Sequence, residues 1–284
     1  MEFSVSDNTG ILYVIGTPIG NLHDISERAK QALQEADLIL AEDTRHSRTL
    51  LEHLRISTPM QSYHEFNERM AIPGLLELLR LGKSLALISD AGTPLISDPG
   101  YQLVVAAHEH GFRPVPIPGP CALITALSVA GMATDKFIFE GFAPAKQVAR
   151  KKYLQQLSSE TRTMIFYEAP HRIMVFLNDI CDLFGDGRLI CVCRELTKKF
   201  ETIYRGTVAE VIRSLNSDSS QQRGEFVVVI EGSKGGTDAG EAAGLITILL
   251  KHGISVKTAS SIAADFTGVS KNEIYKIALE LNDR

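Results

Sequence analysis

Residues 85–100 of the chain read LALISDAGTPLISDPG. The apolar run at its start predicts a buried strand, and the Gly- and Pro-rich loop after it carries two carboxylates, Asp90 and Asp98. Connections in compact α/β units need only about two to six residues, so a loop of this length indicates a binding site. Ligands of open parallel sheets bind at the carboxyl ends of the strands. The stretch therefore predicts a parallel α/β sheet with a ligand site at residues 89–100.

The same alternation extends on both sides of this stretch. Apolar runs typical of strands alternate with segments whose apolar residues recur at helical spacing. The predicted strands are 11–15, 38–41, 85–88 and 115–117, and the predicted helices are 26–36, 102–109 and the segment after Pro120. This order is typical of an open α/β sheet with right-handed crossovers.

A second α/β unit follows a predicted hinge at 131–135. Its predicted elements are strands at 137–140, 164–167, 189–193 and 226–230, a helix at 171–184 and antiparallel pairing around 201–205. We predict an α/β fold class with two α/β domains, 1–132 and 133–234, that enclose a ligand cleft. A Gly-rich linker at 232–244 is predicted to lead to a small helical module at 245–284.

Residues 255–276 of that module predict two helices joined by a turn at Gly268. Two interpretations stay open at this stage. The module is either a helical hairpin packed on the body or a helix-turn-helix that contacts nucleic acid through Lys257, Lys271 and Lys276.

The composition narrows the class of protein. With 284 residues, of which 44% are hydrophobic, the chain can form two domains with cores of ordinary size. No window predicts a membrane span, the N-terminus lacks a secretory pattern, and the four cysteines lack zinc spacing, so we expect a cytoplasmic protein without a metal. Cys191 and Cys193 are expected to be buried thiols. The net charge of −5 argues against bulk coating of nucleic acid but leaves room for a local basic patch.

Two further loops lie at predicted strand ends. Residues 16–21 (GTPIGN) lack the Gly pattern of a nicotinamide dinucleotide site, but Gly16 and Gly20 permit close backbone approach. Residues 41–46 (AEDTRH) place a carboxylate, a guanidinium and an imidazole at the end of a strand. These groups could bind phosphate, orient a hydroxyl or transfer a proton, or they could form a helix N-cap with solvated charges.

Taken together, the motifs resemble those of the tetrapyrrole methylase superfamily. The matching segments are YVIGTPIGNL, AEDTRH, LISDAGTPLISDPG, PIPGPCALITAL, FIFEGF, FYEAPHR, ELTK and GEFVVVIEG. Within the superfamily the chain is most similar to the branch of bacterial 16S rRNA (cytidine-2'-O)-methyltransferases. The resemblance implies S-adenosylmethionine bound between two α/β domains, a homodimer, and 16S rRNA or the small ribosomal subunit as substrate, methylated on a ribose in the decoding region.

The resemblance also implies cofactor contacts at matching positions. They are Pro18, Asp90, Ala91, Gly92, Pro94, Leu95, Ile96, Cys121, Ala122, Tyr167, Glu168, Gly224 and Glu225. The 91–96 loop has no Lys or Arg, which suits a positively charged sulfonium.

The resemblance singles out no proton acceptor, so several polar residues stay candidates. Candidates for substrate orientation or proton removal are Asn21, Asp43, Arg45, His46 and His64, with Asp98 behind them. Candidates for RNA binding are the cluster Lys146, Arg150, Lys151 and Lys152, together with Lys271; the alternative for the cluster is a solvated helix face. Two other functions stay open: methylation of a tetrapyrrole precursor, and a catalytically silent protein that uses the cofactor as a sensor ligand.

Overall fold

The computed structural model describes residues 10–233 and 239–282. It has two five-stranded sheets, each with helices, followed by a group of three helices. The predicted polar N-terminal segment at 1–9, part of the predicted linker at 234–238, and residues 283–284 lie outside the described residues. The structure confirms the predicted class, two α/β units and a small helical module. The predicted domain boundaries at 132 and 234 remain predictions.

The first sheet is entirely parallel, with strand order β3-β2-β4-β1-β5. Its strands are β1 (Leu12–Ile15), β2 (Leu38–Ala41), β3 (Met60–Ser62), β4 (Leu85–Ile88) and β5 (Pro114–Ile117). Its helices are α1 (Glu27–Glu35), α2 (Thr44–Leu54), α3 (Glu68–Arg80) and α4 (Tyr101–Glu109). All four residues of the central strand β4 are buried, as expected for a parallel strand with helices on both faces.

The helices of this first lobe begin where the side chains can cap them. Ser26 accepts a hydrogen bond from the backbone N–H of Ala29 and starts α1, which buries Ala29, Ala32 and Leu33 on one face. Asp43 caps α2 through the N–H of Arg45. The caps fix both helices at the ends of β1 and β2, so the loops between strand and helix face the same edge of the sheet.

The second sheet is mixed, with strand order β6-β7-β10-β8-β9. After helix α5 (Ala122–Ala130) the chain forms β6 (Phe137–Phe142), α6 (Gln147–Leu157), β7 (Thr163–Glu168), α7 (Ile173–Phe184), β8 (Leu189–Arg194), β9 (Thr202–Thr207), α8 (Val208–Ser217) and β10 (Phe226–Ile230). Only the β6–β7 pair is parallel, and the other three pairs are antiparallel. The predicted antiparallel pairing around 201–205 is confirmed at β9.

Helix α5 joins the two lobes. It follows the last strand of the first sheet, yet its apolar face packs against the second sheet. The shared core contains Leu123, Ala126, Leu127 and Ala130 of α5 and Ile165, Cys191, Cys193, Val227 and Val229 of the second sheet. The first and second lobes are therefore connected by a buried apolar layer as well as by the chain.

The C-terminal module consists of α9 (Ala239–Lys251), α10 (Val256–Thr267) and α11 (Lys271–Asn282), which pack on one another. The predicted pair of helices around Gly268 is confirmed, and Gly268 ends α10 in the left-handed region with φ 70°. The predicted linker to residue 244 was wrong over 239–244, because α9 already begins at Ala239. Across the described residues, no helix combines the length and hydropathy that a membrane crossing requires.

Replacing Thr207 with Ala is expected to destabilise the second lobe by about 1 kcal/mol. Thr207 and Glu210 form a reciprocal capping box at the start of α8, in which each side chain accepts a hydrogen bond from the other residue's backbone N–H. Urea unfolding of the wild type, T207A and T207S provides the measurement. T207S keeps the hydroxyl and should unfold near the wild-type midpoint; equal stability of T207A and wild type would contradict the capping role.

Candidate functional site

A cleft of about 320 Å³ lies between the two lobes, at the carboxyl edge of the first sheet. Its walls come from the loops after β1, β4 and β5, the start of α5, and the strand ends of the second sheet. The lining residues are Ile19, Ala91, Gly92, Thr93, Ile96, Ser97, Asp98, Cys121, Ala122, Phe142, Tyr167, Glu168, Ala169, Pro170, Cys193, Leu196, Glu225, Phe226 and Val227. The position agrees with the site that the sequence of residues 89–100 predicted.

The 89–100 loop is held in a strained conformation. Leu95 (φ 74°) and Ser97 (φ 66°) adopt left-handed backbone angles that non-glycine residues rarely adopt, and Gly92 and Gly100 also have positive φ. Such strain costs on the order of 1–3 kcal/mol per residue and is typical of functional loops that their surroundings hold in place. The loop therefore presents residues 91–93 and 96–98 to the cleft in one fixed shape.

Hydrogen bonds tie this loop to the loops beside it. Thr17 and Gly92 exchange backbone hydrogen bonds of 2.8 and 3.1 Å between N and O. The hydroxyl of Thr93 donates to the carbonyl of Pro120 at 3.1 Å. The loops after β1, β4 and β5 thus form one continuous wall of the cleft.

Gly16 and Gly119 bring two of these loops into direct contact. A Cβ on Gly16 would lie 2.8 Å from the Cα of Gly119, and a Cβ on Gly119 would lie 2.5 Å from the carbonyl oxygen of Gly16. The close approach that the sequence predicted for Gly16 is confirmed. Only glycine fits at either position, because the obstructing atoms are backbone.

Tyr167 forms the opposite wall of the cleft. Its hydroxyl accepts a hydrogen bond from the N–H of Leu123 at 3.2 Å, in the first turn of α5. Its ring lies edge-on to Phe139 and Phe142, with centroids 4.9 and 5.8 Å away. Burial raises the pKa of this phenol, so it stays neutral at physiological pH. Tyr167 therefore offers an aromatic surface and a fixed hydroxyl rather than a charge.

The charged residues that line the cleft are all acidic: Asp98, Glu168 and Glu225. Burial raises the pKa of Asp98, a hydrogen bond from Ser89 lowers it, and the nearby charge of Asp90 raises it, with a net result of about 6. With apolar walls, backbone groups and carboxylates but no Lys, Arg or His in its lining, the cleft suits a ligand with both an apolar part and a positive charge.

Of the residues that the resemblance assigned to cofactor binding, most line the cleft. These are Ala91, Gly92, Ile96, Cys121, Ala122, Tyr167, Glu168 and Glu225. The remaining five are not among the lining residues: Pro18, Asp90, Pro94, Leu95 and Gly224. Their contacts with a cofactor stay predictions.

For two of these five residues, Asp90 and Gly224, the structure shows a contact with a neighbouring loop. The Asp90 carboxylate accepts a hydrogen bond from the backbone N–H of Asp43 at 2.9 Å, which fixes the loop after β2 to the loop after β4. Gly224 has φ 93°, and a Cβ there would lie 2.5 Å from the Cγ of Glu195. Both residues act on the shape of the site.

Glu168 lines the cleft, but its carboxylate is already occupied. Oε1 lies 3.1 Å from Nε of Arg172 and accepts a hydrogen bond from the N–H of Ala169 at 2.8 Å. Burial raises the pKa of Glu168 in spite of the Arg172 charge. The side chain therefore holds the turn at 168–172, and the part of Glu168 that remains for a ligand is its backbone.

The predicted catalytic residues of the 41–46 segment do not reach the cleft. Asp43 caps α2 and pairs with Arg45 at 3.0 Å, and the guanidinium lowers the pKa of Asp43 to about 2, which makes that carboxylate a weak base. Arg45 and His46 are exposed in the first turn of α2. The helix-cap alternative describes Asp43 in the structure, and the roles predicted for Asp43, Arg45 and His46 in substrate orientation or proton removal stay predictions.

Asn21 and His64 also lie outside the cleft lining. The side chain of Asn21 accepts a hydrogen bond from the N–H of His23 and caps a short 3-10 helix, Leu22–Asp24. His64 is half-buried, and its Nδ1 has no hydrogen-bond partner among the described residues. Burial and the charges of Asp98 and Asp90 raise the pKa of Glu42. His64 lies close enough to oppose this shift in part. Of the polar candidates, Asp98 alone lines the cleft.

The structure corrects one member of the predicted RNA-binding cluster. Arg150 is 3% exposed, and its Nε donates to Asp179 of α7 at 2.7 Å. It joins α6 to α7 and is not accessible to RNA. Lys151 pairs with Asp182 at 2.8 Å, while Lys146 and Lys152 are exposed. Lys271, in α11, lies 3.7 Å from Asp265 on the surface of the C-terminal module.

Several lining residues were not assigned from the sequence. They are Ile19, Thr93, Ser97, Phe142, Ala169, Pro170, Cys193, Leu196, Phe226 and Val227. Most of these residues belong to the motifs that carry the family resemblance, but the sequence analysis assigned them no function. Cys191 and Cys193 are buried free thiols, as predicted. The described part of the chain contains no group of three or more His, Cys, Asp or Glu that could hold a metal ion.

Comparison with protein families gives two matches. The family described as Tetrapyrrole (Corrin/Porphyrin) Methylases matches residues 11–212. The family described as RsmI C-terminal HTH domain matches residues 236–282. The first match covers the first sheet and most of the second, and the second match covers the three C-terminal helices.

Two similar proteins carry the name Ribosomal RNA small subunit methyltransferase I. The one from Pseudomonas aeruginosa is 50% identical over 276 residues, which are 96% of this chain and 98% of the relative. The one from Escherichia coli O157:H7 is 46% identical over 278 residues, 98% of this chain and 97% of the relative. The similarity therefore includes both lobes and the C-terminal module.

Two solved structures share the arrangement of the two lobes. A cobalt-precorrin-4 methyltransferase superposes with a TM-score of 0.56 at 17% identity, over 78% of this chain and 94% of that one. A uroporphyrin-III-C-methyltransferase from Thermus thermophilus gives 0.55 at 16% identity, with the same coverage. At these identities the likeness concerns the fold alone.

Proposed function

This chain belongs to the family of tetrapyrrole (corrin/porphyrin) methylases, and we propose that it is an S-adenosylmethionine-dependent methyltransferase that acts on rRNA of the small ribosomal subunit. One observation carries the choice of substrate. The similarity to the relatives named for small-subunit rRNA runs over nearly the whole length of both chains, including the C-terminal module, whereas the two superposed tetrapyrrole methyltransferases cover 78% of this chain.

The cleft fits S-adenosylmethionine by its chemistry. The apolar side chains of Ile19, Ile96 and Leu196 and the ring of Tyr167 suit an adenine, and the polar groups of Thr93 and Ser97 suit the amino-acid end. The carboxylate of Asp98 suits a sulfonium, and no cationic side chain lines the cleft to oppose it. When bound, S-adenosylmethionine supplies the methyl group.

A hydroxyl acceptor must lose its proton, and Asp98 is the residue that we propose to take it. It lines the cleft, and its pKa of about 6 leaves it ionised at neutral pH while making it a stronger base than an ordinary carboxylate. Asp90 supports it by adding negative charge nearby. A positioned base of this kind contributes roughly 10²- to 10⁴-fold to a reaction rate.

The finer assignment is the ribose 2'-hydroxyl of a cytidine in the decoding region of 16S rRNA. It follows from the sequence resemblance, and the hydroxyl chemistry available at Asp98 is compatible with it. The alternative, methylation of a tetrapyrrole precursor, has the shared fold in its favour. We further propose that the protein is a cytoplasmic homodimer, as the resemblance implies.

The proposal is tested by incubating the protein with methyl-labelled S-adenosylmethionine and, in parallel, small ribosomal subunits, free 16S rRNA or a corrin precursor. We expect label in the 16S rRNA of one or both RNA samples and none in the macrocycle. Mapping of 2'-O-methyl groups then identifies the nucleotide. Label in the macrocycle alone would establish the alternative, and binding of the cofactor without any labelled product would establish a sensor protein.

A further inference from the structure

A second, more open groove lies beside the cofactor cleft, with a volume of about 620 Å³. We call it the interlobe groove. It is lined by Gly20, Asn21, Leu22, His23, His53, Thr197, Lys198 and Lys199. Ile19 and Leu196 line the cleft, and the residues that follow them, Gly20 and Thr197, line the groove. The two spaces are therefore continuous along the same two chain segments.

The wall that the second lobe contributes is the loop between β8 and β9. Glu195 (φ 51°) and Thr197 (φ 66°) are both in the left-handed region. The N–H of Thr197 donates to the carboxylate of Glu201 at 2.6 Å, and the N–H of Glu195 donates to the carbonyl of Glu225 at 2.9 Å. This is a fixed, strained loop of the kind that is typical of binding sites.

The wall that the first lobe contributes is shaped to receive that loop. A Cβ on Gly20 would lie 2.4 Å from the Cγ of Lys198, so the lysine stem crosses directly over the glycine. Lys198 itself is neutralised, because its Nζ lies 2.9 Å from Glu195 and 2.8 Å from Glu225. Its role is to connect the lobes at the floor of the groove.

The tip of the loop carries side chains that make no hydrogen bond or ion pair with a described residue. Lys199 is exposed and forms no ion pair with a described residue; its Nζ lies 5.6 Å from the centroid of the Phe200 ring. Phe200 is 63% exposed, although its carbonyl is held by Arg194 at 3.0 Å. The hydroxyl of Thr197 is buried without a hydrogen-bond partner.

A lysine beside an exposed aromatic ring is a combination that single-stranded RNA recognises. The ammonium group pairs with phosphate, and the ring stacks on an unpaired base. The rings of His23 and His53, at the far side of the groove, lie edge-to-face at 5.9 Å, and no carboxylate is among the lining residues. Because Glu195 and Glu225 neutralise Lys198, Lys199 is the lining lysine that remains for a phosphate.

We propose that the interlobe groove holds the RNA strand adjacent to the nucleotide that enters the cleft, with Lys199 on a phosphate and Phe200 stacked on a base. This inference rests on the proposed function and deepens it. It assigns the grip on RNA to the β8–β9 loop at the mouth of the cleft, rather than to the α6 cluster.

The test compares K199A, F200L and F200Y with the wild type in binding small-subunit rRNA over a range of salt concentrations. F200L keeps an apolar side chain without an aromatic ring, and F200Y keeps the ring. We expect F200L to weaken RNA binding about 5- to 100-fold and F200Y to bind nearly as the wild type does. K199A should weaken binding and lower the salt slope by about one phosphate contact. K136A, which removes an exposed lysine elsewhere, is the control.

The affinity for S-adenosylmethionine, measured by calorimetry, should be the same in all variants. An unchanged affinity shows that the cleft is intact. Wild-type RNA affinity and salt slope in both K199A and F200L would overturn the inference while leaving rRNA methylation by the wild type untouched. If the variants bind intact small subunits more weakly but bind free rRNA as the wild type does, the loop contacts a ribosomal protein rather than RNA. That result would also overturn the inference. Failure of the wild type to methylate rRNA would instead refute the proposed function.

Discussion

Replacing Asp98 with Asn is expected to lower kcat for rRNA methylation by roughly 10²- to 10⁴-fold. Asn keeps the size and hydrogen-bonding capacity of the side chain but cannot accept a proton. Because Asp98 lines the cleft and not the groove, the affinity for RNA should change much less than kcat. Single-turnover rates with saturating cofactor separate this effect from substrate binding and product release.

The pH dependence gives a second readout of the same residue. A base works only when ionised, so the wild-type rate should rise with pH through an inflection near 6, the raised pKa of Asp98, and level off above it. A bound sulfonium would favour the carboxylate and move the inflection lower. The residual activity of D98N should lack this inflection. A full-rate D98N variant with the wild-type pH profile would remove Asp98 from the reaction.

Stability provides the control against misfolding. The folded-state pKa of Asp98 lies above its ordinary value of 3.8, so its stabilising contribution is complete below that value and is lost as the pH rises through about 6. At neutral pH the ionised carboxylate is therefore unfavourable in the folded protein. D98N should have a melting temperature at pH 8 equal to or higher than that of the wild type, which would show that its lost activity does not come from unfolding.

Replacing Arg150 with Ala is expected to destabilise the protein by about 3–5 kcal/mol, the usual cost of leaving one member of a buried ion pair alone. Arg150 and Asp179 are each 3% exposed as side chains, and Nη1 of Arg150 also donates to the carbonyl of Ala145 at 3.0 Å. Removal of the guanidinium leaves a buried carboxylate whose other partner is Lys151, at 3.5 Å. Chemical denaturation, monitored separately for each lobe, measures the loss.

The neighbouring Lys152 supplies the matched control. It is exposed on the same helix, so K152A should change stability by no more than about 0.5 kcal/mol. D179A should destabilise as R150A does, and the double variant should lose less than the sum, because both changes remove the same interaction. A stable R150A variant with weakened RNA binding would restore the original assignment of Arg150 to RNA.

Much of the first lobe could be predicted from the sequence, because local pattern and tertiary environment agree there. The run at 85–88 is apolar without alternation, and the structure buries it on both faces of a parallel sheet. The loop at 89–100 could be identified as a site from its length and its Gly and Pro content. The α9 helix was missed because Gly240 and Gly244 resemble a linker, whereas apolar residues of the same segment, such as Ala242 and Ile246, are buried against the other two helices.

The errors in the site have a different cause. Arg150 was grouped with its charged neighbours, although it lies four residues from buried Leu154 and thus on the inward face of α6. Asp98 could not be ranked above Asp43 from the sequence, because its advantage is a raised pKa that depends on burial and on Asp90. The proximity of Gly20 and Lys198 depends on how the two lobes meet, and no local pattern encodes it.

The apolar layer between α5 and the second sheet restricts how a ligand can enter and leave. Parting the lobes in a clamshell motion would expose this layer to water, at a cost of about 25 cal/mol for each Å² of apolar surface uncovered. Shifts of surface segments at the entrance expose far less. We therefore expect the two lobes to keep their relative placement during turnover, and ligand exchange to depend on the segments at the entrance to the cleft.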